Sequence, residues 1–380
     1  MRDARGAYML LNRTEGVGPV SAKALTVGLG GIEGVWEAGE EAMARLKGVG
    51  ARLARAVAEQ RKSFEPEREE ALAAKWGARV VTPLDEGYPK VLGALRDAPL
   101  CLYVRGALEP RDENGLAVVG TRNASSYGKG QAERLAFLAA KAGMTVTSGL
   151  ARGIDTAAHR GALKAEGGRT VAVVGSALDK LYPPENKELA DEIAEGRGAV
   201  ISEFAMGRAP DRTTFVWRNR LVSGLSKGVL VVECGTHSGA MHTASLALEQ
   251  GRSVLAVPGR VDLEGSKGPH KLIKDGARLV EDLEDILREF EFLFPAAERK
   301  RALQRVDSRS RVGVNGAEKA VLRALWKDGE LDQDEVGRRC GMNVAQLMTV
   351  LMQMEMKRLV RRLPGGRVAV DEAVREWGVE

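Results

Sequence analysis

The chain has 380 residues, 44% of them hydrophobic and 4% aromatic, with 57 Lys+Arg against 52 Asp+Glu. That length suits two or three domains. No run of ~18 apolar residues offers a spanning helix, and Met1–Tyr8 lacks the apolar stretch of a secretory leader, so a cytoplasmic protein without membrane contact is expected. Cys101, Cys234 and Cys340 are too few and too far apart for a zinc knuckle or a disulfide frame, and no metal is expected. Charge is balanced at 28 against 28 over residues 76–293, whereas residues 294–380 carry 17 basic against 13 acidic residues, a weak pointer to a polyanion.

Residues 1–75 read as helical. Two Gly-x-Gly hairpins, Gly16-Val17-Gly18 and Gly48-Val49-Gly50, each precede a helix with small and basic residues. They look like helix-hairpin-helix motifs (a SAM-like module), whose backbone N–H groups suit one phosphate of a nucleic-acid strand. An ordinary helical turn with glycine at its end is the competing reading. A charged helix from Glu65 leads out, followed by strands at Arg79–Thr82 and Leu100–Gly106.

From Leu116 strands and helices alternate. Strands are expected at Leu116–Gly120, Thr145–Ser148, Arg169–Gly175, Ala199–Glu203, Val229–Cys234 and Ser253–Pro258. Helices are expected near Tyr127–Ala142, Gly153–Ala165, Glu185–Glu195, Phe215–Leu225, Gly239–Gln250 and Pro269–Lys274, with a last amphipathic one over 281–293. Nearly continuous apolar strands fit a sheet covered on both faces, so the fold class is α/β, a doubly wound Rossmann-like sheet over 76–293. Residues 294–316 form a basic linker. Three helices, Ala317–Trp326, Asp332–Cys340 and Val344–Met356, and a hairpin around Gly365-Gly366 then make a winged helix over 317–380. Its methionine-rich third helix is poorly equipped to read a major groove.

The chemistry gathers at strand ends. Gly120-Thr121-Arg122 and Ser148-Gly149, running on through Arg152 and Gly153, are small-residue turns before helices, where an open parallel sheet binds its ligands. Arg122 is aimed at an anion, with an internal ion pair to Asp155 or Glu203 as the alternative. Asp155 and His159, four apart on one helix face, suit acid–base work or the bracing of loops, and the lack of a visible partner favours bracing. Arg218-Asn219-Arg220 offers charge and amide donors, or ties between helices. Glu233, with Thr236-His237-Ser238-Gly239 and Thr243, reads as a further anion seat. No Gly-x-Gly-x-x-Gly follows the first central strand, and no acid ends the second, which argues against a nicotinamide or flavin cofactor.

These motifs together resemble the DNA-processing protein A (DprA/Smf) family. The resemblance rests on Gly120-Thr121-Arg122 with Tyr127-Gly128, on Ser148–Asp155 with His159, and on Tyr182-Pro183-Pro184-Glu185-Asn186. It continues through Ser202-Glu203, Arg218-Asn219-Arg220, Ser238-Gly239 with Thr243, Pro258-Gly259 and Gly276-Ala277, all in the family's order over roughly residues 80–280. It implies a non-catalytic homodimer that binds and protects single-stranded DNA and helps load the RecA recombinase in natural transformation. It also implies that Arg122 is the arginine of the DNA pocket, that Arg208 is the nearest match to a basic residue after Ser-Glu, and that Lys187 matches another DNA-binding lysine. Val216-Trp217, where the family often shows Phe-Pro, adds an aromatic surface for a base. The competing class is a nucleotide phosphoribohydrolase on the same sheet. Its Gly-Gly-x-Gly-Thr loop is incomplete at Glu233-Cys234-Gly235-Thr236, where the acid stands before the loop.

Overall fold

A nine-stranded sheet in the order β1-β2-β6-β5-β4-β3-β7-β8-β9 is the spine of the larger of two compact units, Met1–Arg299 and Lys300–Glu380. The computed structural model describes residues 3–292, 315–326, 328–356 and 359–371, together with 295, 299 and 301–303. The expected linker over 294–316 falls largely outside the described residues.

Strands β3 (Gly115–Val119), β4 (Thr145–Ser148), β5 (Arg169–Val173) and β6 (Gly198–Ser202) are buried along their whole length. With β7 (Ser226–Val231), β8 (Ser253–Ala256) and β9 (Arg278–Leu279) they form the parallel part of the sheet. Val, Ala, Leu and Ile dominate β3, β5, β6, β7 and β8 because helices cover both faces, whereas β4 is Thr-Val-Thr-Ser. The crossover helices α7 (Ser126–Lys141) and α8 (Ile154–Lys164) serve strands running away from β3 in one direction. Helices α10 (Arg212–Gly224) and α11 (Gly239–Glu249) serve β7 and β8 on the other side. Right-handed crossovers place the two pairs on opposite faces, with the topological switch point between β3 and β7. Short α9 (Lys187–Glu192) and α12 (Lys267–Lys274) complete the alternation, and α13 (Leu283–Glu289) is shorter than the expected 281–293.

Two features go beyond the expected elements, which had the two strands near Arg79 and Leu100 but not their pairing. β1 (Ala78–Val81) and β2 (Leu102–Gly106) extend the sheet antiparallel beyond β6, with Tyr103 opposite Ser202. Helix α10 begins three residues before the expected Phe215, because the Asp211 carboxylate accepts from the Thr213 and Thr214 N–H groups while Thr214 Oγ1 accepts from the Asp211 N–H.

The amino-terminal helices α1 (Ala4–Arg13), α2 (Pro19–Gly28), α3 (Glu40–Ala44) and α4 (Gly50–Ser63) share a core of Leu10, Leu11, Leu25, Val35, Trp36 and Val57, while α5 (Pro66–Ala74) packs Ala73 into the cluster of Val80 and Tyr103 on the sheet. They pack on the sheet within the same compact unit. Buried Glu69 accepts from Tyr103 Oη at 2.6 Å, Arg13 Nη1 at 2.6 Å and the Met206 N–H at 3.1 Å. Short α6 (Lys90–Gly93) lies between β1 and β2 in the chain.

In the smaller unit, helices Gly316–Trp326, Gln333–Cys340 and Val344–Met356 close on Val321, Leu325, Val336, Leu351 and Val368. The expected wing of β11 (Val360–Leu363) and β12 (Arg367–Val370) gains a third strand, β10 (Glu330–Asp332), which pairs with β12. At three residues it is too short to show a period.

Candidate functional site

The carboxyl ends of β3 and β4 are shaped by glycines that let other groups come close. A Cβ on Gly120 would meet Ile154 at 2.5 Å and the Glu233 carbonyl at 2.7 Å. A Cβ on Gly149 would overlap the Arg218 guanidinium and the Asp155 carboxylate. Gly153 adopts φ +76, and a Cβ there would strike the Thr121 and Arg122 carbonyls.

The anion seats that these turns suggested are already filled from within. At the switch point the Glu233 carboxylate accepts from Ser125 Oγ at 2.8 Å and from the Ser125 N–H at 3.2 Å, capping α7. The Glu233 carbonyl takes the Thr121 N–H at 2.6 Å. A Cβ on Gly128 would overlap that carboxylate, so the glycine makes room for it. One strand over, Asp155 accepts from the Gly149 N–H at 3.1 Å and the Ala151 N–H at 3.3 Å. Burial pushes the Asp155 carboxyl above its ordinary value, against the pull of Arg218. The same holds in the first hairpin, where Gly18 N–H donates to Ser21 Oγ at 3.0 Å and Val17 N–H to Thr14 O at 3.2 Å. Internal acceptors occupy the N–H groups of Thr121, Gly149 and the first hairpin that a phosphate would have used, which corrects the backbone-cradle expectation for those donors. Ser148 Oγ likewise donates to the Val118 carbonyl at 2.7 Å.

Side chains, not backbone, make the surface. Arg122 is exposed, free of ion pairs among the described residues, and sits 4.9 Å from the centroid of Phe215. Phe215 and Tyr182 lie 5.6 Å apart, and Arg152 lies 6.0 Å from Tyr182. A cation, two rings and a second cation therefore form one continuous surface. Beneath it Arg218, also lining this shallow pocket, donates to the Gly149 carbonyl at 2.6 Å and to the Val173 carbonyl. Burial lowers its pKa to about 10, with Asp155 pulling up and Arg122 down, so it stays charged at neutral pH. Its Nε is buried with no hydrogen-bond partner among the described residues. Arg152 is also held by Glu185. Exposed Arg212, three residues before Phe215 on α10, shares its helix face and has no ion pair among the described residues. Phe215, Tyr182 and Arg212 were missed as site residues by the sequence reading.

Arg220 is corrected to a structural role. It is 2% exposed, bonded to Glu203 at 2.5 Å and 3.1 Å from Asp97, and so has no free charge for a ligand. Burial pushes the Glu203 carboxyl up, against the Arg220 charge and the hydrogen bonds from Arg220 and Trp217. Asn219 donates weakly to the Gly239 carbonyl at 3.4 Å, and Ser238 caps α11 by accepting from the Met241 N–H at 3.4 Å. Arg208 is exposed and paired with Asp211 at 2.6 Å, on the wall of a different cleft, beside Trp217. Lys187 is exposed at the start of α9 without an ion pair among the described residues.

The geometry offers little to acid–base catalysis. His159 is fully buried, with Nδ1 at 2.7 Å from Thr170 Oγ1. That hydroxyl donates to the Val146 carbonyl at 2.6 Å, so Nδ1–H is the donor to it and Nε2 carries the lone pair. Burial, with Arg218 nearby, lowers the His159 pKa to about 3. Neither it nor Asp155 is free to exchange a proton with a ligand. Glu233, the acid a hydrolase loop would need, is spent on the α7 cap. Among the described residues no group of three His, Cys, Asp or Glu side chains is placed to hold a metal ion, and no helix is long and apolar enough to cross a membrane.

Comparison with known proteins matches this arrangement to one family. A family model described as DNA recombination-mediator protein A matches residues 79–291, and one described as DprA winged helix domain matches residues 307–366. Protein Smf of Escherichia coli is 40% identical over 291 residues, covering 76% of each chain. DNA processing protein DprA of Streptococcus pneumoniae is 43% identical over 210 residues, 55% of this chain and 73% of that one. The crystal structure of the S. pneumoniae protein superposes with a TM-score of 0.66 at 33% identity, over 76% of this chain and 99% of that chain. A Helicobacter pylori DNA processing protein A, described for its single-stranded DNA binding mode, superposes with a TM-score of 0.50 at 30% identity over 56% of this chain and 95% of its own. With a family model over more than half its length and a 40% identical relative, the chain belongs to the DNA-processing protein A (DprA/Smf) family.

Proposed function

We propose that this protein binds single-stranded DNA on the surface formed by Arg122, Phe215, Tyr182 and Arg152. The observation that carries the reading is the run of two cations and two touching rings. Single strands are held by cations along the backbone and by rings on which unpaired bases stack, and a duplex hides those ring-facing surfaces. Arg212, on the helix face of Phe215, extends the positive rim, Arg218 adds a fixed charge beneath it, and the family resemblance adds exposed Lys187 as a further contact. Asp155, His159, Glu203 and Arg220 brace the loops that carry these groups. The single-strand binding described for the H. pylori relative supports this choice of ligand.

Family membership supports the further proposals that the protein acts in the cytoplasm as a homodimer through the sheet-bearing region, delivers strands to RecA, and performs no catalysis. The division into a helical domain (1–75), a sheet core (76–293), a linker (294–316) and a winged helix (317–380) belongs to the same reading.

The test compares oligo-dT with duplex DNA at several salt concentrations, using full-length protein. Tighter binding of oligo-dT with a log–log salt slope of about −0.7 per phosphate contact is expected. Preference for duplex, lost on deleting residues 317–380, would move the function to the winged helix. Base release from nucleoside monophosphates that disappears in D155N would restore the hydrolase reading.

A further inference from the structure

A cleft of about 620 Å³ opens between the first hairpin and the sheet, lined by Asn12, Glu15, Gly18, Gln60, Arg208 and Trp217 among others. Trp217 is 40% exposed, yet its ring is fixed. Its Nε1–H donates to Glu203 at 3.1 Å, and the Arg220 guanidinium lies 4.5 Å from the ring centroid. Glu203 and Arg220 are themselves buried and joined at 2.5 Å. The ring therefore turns only by giving up bonds to a buried ion pair. An exposed indole held in one orientation is a prepared stacking platform, because its ordering entropy is spent before a ligand arrives.

Apart from the exposed Glu15 carboxylate, which would repel a phosphate, the charges around the cleft are matched internally. Arg13 is paired with Glu69, Arg208 with Asp211, and Glu203 with Arg220. The cleft therefore offers a phosphate little, and it suits the flat, uncharged part of a nucleotide. Gln60 brings a carboxamide for a base edge, Asn12 is oriented by its Nδ2 donating to the Glu203 carbonyl at 3.0 Å and offers its Oδ1, and Gly18 leaves open space where a Cβ would stand. Phe215 and Trp217 are two positions apart on α10, and they line the shallow arginine pocket and this cleft respectively. A strand gripped at Arg122 has only the first turns of α10 to cross.

We propose that this cleft is a nucleobase site, in which one base of the bound strand stacks on Trp217 against the Gly16–Gly18 hairpin. The inference rests on the reading of the protein as a single-strand binder, and it adds the amino-terminal helices to the binding surface.

The test measures affinity and salt slope for full-length wild type, W217A, W217F and R122A, on oligo-dT and on an abasic deoxyribose-phosphate oligomer of equal length. W217A should bind oligo-dT about tenfold more weakly with an unchanged salt slope, since a stacking contact and no phosphate contact is lost. W217F, which keeps a π-face, should recover most of the affinity. Neither change should alter binding of the abasic oligomer, whereas a merely structural role for Trp217 would weaken both ligands alike. Wild-type affinity in W217A, or equal weakening on both oligomers, overturns the base site. If R122A alone weakens oligo-dT binding, the arginine site survives and the Trp217 site falls. Wild-type protein that binds no oligo-dT overturns both.

Discussion

Two buried arginines stand at opposite ends of the central sheet, and they are neutralised differently. Arg169, at the start of β5, is 4% exposed and lies 2.6 Å from Asp112 and 3.0 Å from Glu109, with Thr145 Oγ1 donating to the same Asp112. Arg218, at the carboxyl ends, is equally buried but donates to two carbonyls, and Asp155 faces it while serving loop amides. The first end is a closed electrostatic plug. The second holds a surplus of positive charge under two exposed arginines, the condition an anion site requires. A buried charge with full partners is costly to uncouple and offers no field to a ligand, and one held by dipoles leaves part of its field for a ligand.

The largest effect expected from breaking this contrast is at the plug. R169A strands the buried Asp112 carboxylate and should cost about 3–5 kcal/mol in denaturant unfolding. The folded fraction should bind oligo-dT as wild type does, because Arg169 lies at the other end of the strands. Weaker binding by correctly folded R169A would mean that the two ends are coupled.

Next in size is a pH effect at the cation-rich end. The folded pKa of His159 is about 3, against an ordinary value of 6.5. Between those values the unfolded chain takes up a proton that the folded chain refuses. Stability is therefore full above pH 6.5 and lost as pH falls below it. Relative to H159Q, wild type should lose up to about 2 kcal/mol by about pH 5. Parallel stability curves for the two proteins would show that His159 is not held neutral beside Arg218.

At the surface the effects become smaller and move from stability to binding. R122A should leave the melting temperature nearly unchanged, weaken oligo-dT about tenfold, and reduce the salt slope by about 0.7. An unchanged slope would show that Arg122 meets no phosphate.

The sheet was legible in the sequence because parallel strands buried on both faces read as nearly continuous Val/Ala/Leu/Ile runs, and β3, within one residue, and β12 stand where such a run and the Gly-Gly turn put them. The location of the candidate site was legible too, since strand ends carrying Gly and Arg mark the crevice. What the residues do there was less legible. Whether Arg220 faces a ligand or a carboxylate depends on Asp97 and Glu203, which only the fold brings to it. The turn amides looked free because Glu233, more than 100 residues from Ser125, had not been placed against them. Phe215 and Tyr182, 33 positions apart, become one surface only when α10 packs beside the Tyr182 turn. The Asp211-x-x-Thr214 capping box, by contrast, was a local signal for the earlier start of α10, and for the exposure of Arg212 beside Phe215.

The smallest effect sharpens the contrast most, because it asks whether a visible ion pair belongs to the fold or to the site. Arg152 and Glu185 are both about half exposed, and such pairs add about 0–1 kcal/mol to stability. If the pair only ties the Tyr182 turn to α8, E185Q should lower the melting temperature slightly and leave DNA binding alone. If Glu185 occupies Arg152 until a phosphate displaces it, E185Q removes a competitor and an adjacent negative charge together. Affinity for oligo-dT should then rise a few-fold at low salt, and the gain should shrink as salt screens the charge. R152A should abolish that gain while E185Q in an R122A background keeps it, because the two arginines hold separate rings. Equal affinity of wild type and E185Q at low salt would assign Arg152 to the fold, as Arg220 already is, and leave Arg122 and Arg212 as the cations beside Phe215.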